Sequence, residues 1–305
     1  MPNLITTLGP IGEGELGMIL PHEHVFVDLR TWDQPGYGVA DADDVVRLMR
    51  PEIERARSAG VTAIVEPGAV GVGRRADILL AVSRATGFPL VAPSGVYREP
   101  WLPPWVNTSE EADLTSWMMH ELTDQIEDTG VQAGWIKVGS TDNGMTPAEA
   151  KVLRAASAAS IATGATIGSH TIRGEVARAQ LDLIEEVGAS PERFVWIHAH
   201  QEPVIAIHHE LGKRGCWIEY DGIGEPGSDA RFVDLIQRGL DADLGDRLLL
   251  SHDRGWFDPA QPGGGVPKPY TYLSEVFLPL LADAGIDDET IDRLTRHNPF
   301  VAFAR

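Results

Sequence analysis

Short apolar runs rich in β-branched residues alternate along this chain with segments of helical periodicity, and no other feature constrains its fold as strongly. The runs are "GMILPHEHV", "VTAIVEPG", "PLVAPSGVY", "GWIKVGST", "ATIGSHT", "FVWIHAH", "CWIEYDG" and "RLLLSHD", eight candidate strands. Between them lie "DADDVVRLMRPEIERARSAG", "RRADILLAVSRATG", "TPAEAKVLRAASAASIATG", "EVARAQLDLIEEVG" and "DARFVDLIQRGLDADLG", whose apolar residues recur at helical spacing. Thr146 and Pro147 are start signals for one helix, and Gly164 is its stop. Parallel strands need helical crossovers, so the repeated strand-then-helix order predicts an α/β fold, a (β/α)8 TIM barrel. An open doubly wound sheet uses the same alternation.

Polar residues decide between the two. His22 and His24, Glu66, Tyr97, Lys137, His170, His198, Asp221 and Asp253 stand at the C-terminal ends of the runs. In a barrel those ends converge on one mouth, where active sites of this fold are built; in an open sheet they spread along an edge. The first 16 residues, with "GP" and "GEG" as turn signals, predict a short β-hairpin ahead of strand one. No linker or longer repeat interrupts the pattern, so residues 1–305 are expected to form a single domain. "RGWFDPAQPGGGVPKPYTY" reads as a loop over the mouth that contacts substrate.

Composition narrows the partners. The chain has 45 acidic and 25 basic residues, a formal charge of −20, which repels nucleic-acid phosphates and anionic lipids. The expected partner is a small-molecule substrate, with no nucleic acid and no membrane. Cys216 is the only cysteine and reads as a core residue. No signal peptide or membrane span is evident, so the expected location is the cytoplasm, where the sequon "NTS" at 107–109 carries no weight.

"HEH" places His22 and His24 two residues apart, on one side of an extended strand. A lone histidine at a strand end is more often a hydrogen-bonded structural residue than a ligand. Four histidines and an aspartate at the ends of strands one, five, six and eight form a set of neutral nitrogen and carboxylate donors that suits zinc and similar ions. Lys137 is the odd member, because an ammonium offers a cation no lone pair. Burial and nearby cations lower a lysine pKa, and the neutral amine can take up carbon dioxide as a carbamate with two oxygens. A salt-bridged or snorkelling lysine is the alternative.

"TTLGPI", "GMILPHEH", "GWIKVGS", "GSHT", "LLLSHD" and "HNPFVAF", in this order and spacing, resemble the phosphotriesterase family of the amidohydrolase superfamily, its phosphotriesterase-like lactonase branch included, over nearly the whole chain. The resemblance implies a binuclear metal centre, most readily zinc, with cobalt, manganese or iron as alternatives. His22, His24 and Asp253 would hold the buried ion, His170 and His198 the exposed one, and a carboxylated Lys137 would bridge them. The family's spacing from Arg193 selects His198 over His200. A metal-bridging hydroxide would attack the substrate, and Asp253 would take its proton as ligand and base together. A homodimer is also implied.

The sequence departs from the family at the substrate side. Tyr97 matches a tyrosine of the lactonase branch, but Asp221 is followed by Gly222, where that branch has arginine and the phosphotriesterases have histidine. Gln201 replaces the family's relay carboxylate, so the proton leaves through His200 or His252 or the relay matters little for this substrate, and His252 is alternatively a hydrogen-bonded neighbour of the ligand shell. Trp101, Trp105, Trp256, Phe257 and Tyr272 are candidate pocket aromatics, with ordinary packing between loops as the equal alternative, and Trp256 and Tyr272 join Tyr97 as expected substrate contacts. Glu66 and Arg98 can pair with each other or bind a polar substrate tail, and Glu23 should point away from the metals and fix its strand. The expected activity is hydrolysis of a carboxylic ester or lactone, with phosphotriesters as a side activity. The alternatives are N-acyl amide hydrolysis and a non-catalytic binding protein on the same scaffold.

Overall fold

Residues 2–305 are described in the computed structural model. The opening hairpin pairs β1 (Leu4–Thr6) with β2 (Gly9–Ile11), as expected. The barrel strands follow. The first is β3 (Met18–Leu20) continued by β4 (His24–Phe26); the second is β5 (Val61–Val65); the third is β6 (Leu90–Val91) continued by β7 (Pro93–Ser94). Then come β8 (Trp135–Gly139), β9 (Ile167–His170), β10 (Phe194–Ile197), β11 (Trp217–Tyr220) and β12 (Leu248–Leu250). Pro21 and Pro93 lie where the first and third strands are broken, and neither has an N–H to give a ladder.

Every strand pairing from β3 onward is parallel, in the runs β3-β5-β6 and β7-β8-β9-β10-β11-β12. The runs join across the third strand, where Ala92 O accepts from Gly134 N at 2.9 Å. At the other seam Asp253 N donates to His22 O at 3.2 Å, and the Ser251 hydroxyl bridges His22 N and O, each at 3.1 Å. The seam that closes the (β/α)8 barrel is thus made at the residues in question.

Alternation along the strands sorts side chains between two cores. Ile19, Ala63, Val65, Trp135, Val195, Ile197, Trp217 and Leu249 fill the barrel interior. Their neighbours Leu20, Ile64, Ile136, Phe194, Trp196, Ile218, Leu248 and Leu250 face the helices. Continuing the inward register by twos leads from Trp135 to Lys137, from Trp217 to Glu219 and Asp221, and from Gly168 to His170. Gly168 has a specific reason: a Cβ there would sit 2.5 Å from the Trp135 ring.

The outer layer is α1 (Ala42–Ser58), α2 (Ala76–Thr86), α3 (Pro104–Thr108), α4 (Glu111–Thr123), α5 (Pro147–Thr163), α6 (Gly174–Val187), α7 (Ile205–Lys213) and α8 (Asp229–Asp241). The signals read for α5 are present: Thr146 and Glu149 form a reciprocal capping box, and Gly164 ends the helix in left-handed conformation. Sequence periodicity missed α3, α4 and α7, and the first and last of these are only 5 and 9 residues long. Asn298 of "HNPFVAF" donates to Gly245 O and Leu248 O and so fixes the base of β12. Among the described residues no helix is long and apolar enough to cross a membrane.

Candidate active site

A cleft of about 150 Å³ at the mouth of the barrel is lined by His22, His24, Lys137, His170, His198 and Asp253, together with Tyr97 and Trp256. The six residues expected to hold metal therefore come together, with two of the three expected substrate contacts. Tyr272 does not line this cleft: its hydroxyl donates to Asp229 at 2.8 Å and its ring stacks under Arg254.

The imidazoles are held through one nitrogen. His22 Nδ1 lies 2.7 Å from Glu219, His24 Nδ1 lies 3.2 Å from Glu66, and His198 Nδ1 lies 2.9 Å from Asp221. A carboxylate on Nδ1 fixes the tautomer and orientation that leave the Nε2 lone pair for a cation. His170 packs against His198 with ring centres 4.4 Å apart. Its Nε2 and Asp253 Oδ1 are buried without a hydrogen-bond partner. Such orphans each cost about 1–3 kcal/mol, so they call for a ligand.

Spacing gives a second test of fit. His24 Nε2 and His22 Nε2 lie 3.5 and 3.9 Å from Asp253 Oδ1. Donors bound at about 2.1 Å to a tetrahedral ion stand about 3.4 Å apart. His22, His198 and Asp253 each offer a donor atom within 4.8 Å of the others. The residues present fit divalent metal.

Electrostatics agree. Burial, aided by the charge of Lys137, drives the His22 pKa well below its usual value, and burial with neighbouring His198 does the same to His170. Both shifts favour the neutral form that a ligand needs. Burial also lowers the Lys137 pKa, although Glu219 and Asp221 oppose it. In the buried pair beneath the cleft, burial and Asp221 push Glu219 up; Asp221 is held well down against its own burial by His198, His200 and His22. Burial pushes the Tyr97 phenol up to about 12, so it stays protonated.

His198 and Asp253 both have left-handed backbone, with φ of 64° and 53°, and Trp256 follows at 75°. Non-glycine residues held there cost on the order of 1–3 kcal/mol and gather at functional sites. For His198 the effect is direct: alternation after Ile197 would send it to the outer layer, and the left-handed turn breaks that register.

Several expectations need correction. Phe257 belongs to an added strand, β13 (Gly255–Phe257), and stacks on Phe26 in the core at 5.8 Å, because alternation gives the cleft side to Trp256. Trp105 packs against Trp117 on the outer helices, and Trp101 stands behind the lining with its indole N–H on Leu29 O. Glu66 serves His24 and Gly68 N and does not pair with Arg98. Of the two roles open to His252, the structure shows the hydrogen-bonded neighbour of the ligand shell: Glu23 engages its Nδ1 and Leu273 N donates to its Nε2. His200 lies beside Asp221, with Nδ1 3.1 Å from Oδ1. Sequence reasoning gave Glu219 no role; a glutamate two residues before Asp221 in an apolar strand was the signal.

The family model of the phosphotriesterase family matches residues 2–303. A "Phosphotriesterase homology protein" of Mycobacterium tuberculosis is 29% identical, over 100% of this chain and 98% of that protein. An "Aryldialkylphosphatase" of Saccharolobus solfataricus is 26% identical, over 93% of this chain and 94% of its own. Among solved structures, a mutant of a Deinococcus radiodurans PTE-like lactonase superposes with TM-score 0.88 at 29% identity, covering 98% of this chain and 99% of that one.

Proposed function

The chain belongs to the phosphotriesterase family, a family of binuclear metal-dependent hydrolases, and on that premise we propose that it hydrolyses carboxylic esters or lactones, with phosphotriesters as a side activity. One observation carries the reading: three carboxylate-anchored imidazoles, the orphaned His170 Nε2 and the orphaned Asp253 Oδ1 share one cleft. His22, His24 and Asp253 would hold one ion, His170 and His198 the other, with Lys137 between them.

Bound there, two divalent ions, zinc in the first instance, would make water available as hydroxide near neutral pH and polarise the substrate's carbonyl or phosphoryl oxygen. The chain supplies the rest. Burial lowers the Lys137 pKa, and its neutral amine would add to carbon dioxide with release of a proton to give a carbamate, an anion able to serve as a metal ligand. Asp253 stands against His22 and His24 and would take the proton as the substrate is attacked. Tyr97 keeps its proton and can donate a hydrogen bond, while Trp256 forms an apolar wall.

The reading is tested by turnover of the fully metallated enzyme on a panel of lactones, aryl esters, N-acyl amino acids and paraoxon. Lactone or ester turnover above that of paraoxon is expected. Turnover of N-acyl amides alone would replace it with amide hydrolysis.

A further inference from the structure

Beside the cleft, and sharing His198, Asp253 and Trp256 with it, lies a second cavity of about 300 Å³. Two cations, Arg254 and Lys268, line it. The Arg254 guanidinium lies over the Tyr272 ring, 5.1 Å from its centre, and donates from Nη2 to Gly224 O. With five N–H donors, a guanidinium so held has others to offer. Lys268 is pinned by reciprocal backbone hydrogen bonds with Gly255 at 2.8 and 3.0 Å, and its Nζ lies 4.8 Å from the Trp256 ring centre. Trp256 adds an indole N–H that is buried without an acceptor.

In a chain with a formal charge of −20, neither cation has an acidic partner within ion-pair distance among the described residues. The carboxylates of the same wall have other places. Asp221 is engaged by the His198 ring and backbone, Asp253 belongs to the cleft, and Glu225 is exposed to solvent. A chain this acidic repels anions at long range, so two cations without acidic partners beside the reaction cleft create a local exception. Charge-assisted hydrogen bonds from a guanidinium and an ammonium suit an oxyacid group.

We infer that this second cavity binds an anionic oxyacid group of the substrate, a carboxylate or a sulfonate, while the scissile carbonyl lies in the adjoining cleft. The substrate class is then an acid-bearing ester or lactone, a refinement that rests on the hydrolase reading above. Arg254 and Lys268 act as specificity residues and take no part in bond breaking.

Binding separates this inference from the catalytic one. The zinc-loaded protein is titrated calorimetrically with three probes that have no scissile bond: 3-phenoxypropanoate, 3-phenoxypropanesulfonate and 3-phenoxypropan-1-ol. At least one acid should bind about tenfold more tightly than the alcohol, with the advantage lost in K268M and R254M and restored in K268R. The two acids show which oxyacid is preferred. Equal binding of acids and alcohol, or an acid advantage that survives in both methionine variants, would overturn the inference. Lys268 is exposed, so K268M keeps the test in force if R254M does not fold. Lactone turnover by the same preparation reports on the hydrolase reading: its absence would count against that reading and leave the binding result to stand by itself.

Discussion

Glu23 and Asp253 are joined through the backbone on either side of the aspartate: the Glu23 carboxylate accepts the N–H of His252 at 2.9 Å and that of Arg254 at 2.7 Å. The same carboxylate accepts from the Ser251 hydroxyl at 2.7 Å and engages the His252 ring. Asp253 is thereby held in a left-handed conformation from both sides. The middle residue of "HEH" thus serves the metal cleft from behind, while its two neighbours face it.

Replacing Glu23 with glutamine keeps its shape but turns one acceptor oxygen into a donor facing backbone N–H groups. Zinc affinity, measured by chelator competition, should fall about 10–100-fold in E23Q while the far-UV circular dichroism is retained. Unchanged affinity would show that Asp253 needs no such support.

Gly222 and His200 are a matched pair. A Cβ at position 222 would lie 2.5 Å from His200 Nε2, and the His200 ring is buried against Phe232. The G222A variant should lose about 1–3 kcal/mol of unfolding free energy by denaturant titration, as overpacking does. Adding H200A should recover most of that loss. An equal loss in the double variant would place the strain elsewhere.

His208 gives a pH dependence away from the metal cleft. Its nitrogens lie 3.0 Å from the Tyr220 hydroxyl and 3.0 Å from Glu202 O, and burial takes its pKa from 6.5 down to about 4. The unfolded chain therefore binds more protons between these values, so His208's contribution is complete above pH 6.5 and is lost as pH falls towards 4. A shift of this size corresponds to roughly 3 kcal/mol. Denaturant titrations across that range should show a steeper loss for the native protein than for H208Q; parallel curves would contradict the assignment.

Much of this was readable because period two and strand order are strong signals. Lys137 follows Trp135 by two on β8, and His170 follows Gly168 by two on β9, so the inward register alone aims both at the mouth. His198 was legible as a chemical type but not as a direction, since its placement depends on a left-handed turn that sequence alternation does not encode. Glu219 was hidden in an apolar strand, because its role exists only once His22, 197 residues away, is folded beside it. Phe257 and Trp256 looked alike in a Gly- and Pro-rich segment; the pairing of β13 with β4 is what sends one to the core and the other to the cleft.

The most direct measurement is an anomalous-diffraction map of crystals grown with zinc and bicarbonate. Two peaks are expected in the cleft, one among His22, His24 and Asp253 and the other between His170 and His198, with density extending beyond Lys137 Nζ towards both. No peak in the cleft, or one peak beside an unmodified Lys137, would contradict the binuclear centre from which the proposed chemistry is drawn.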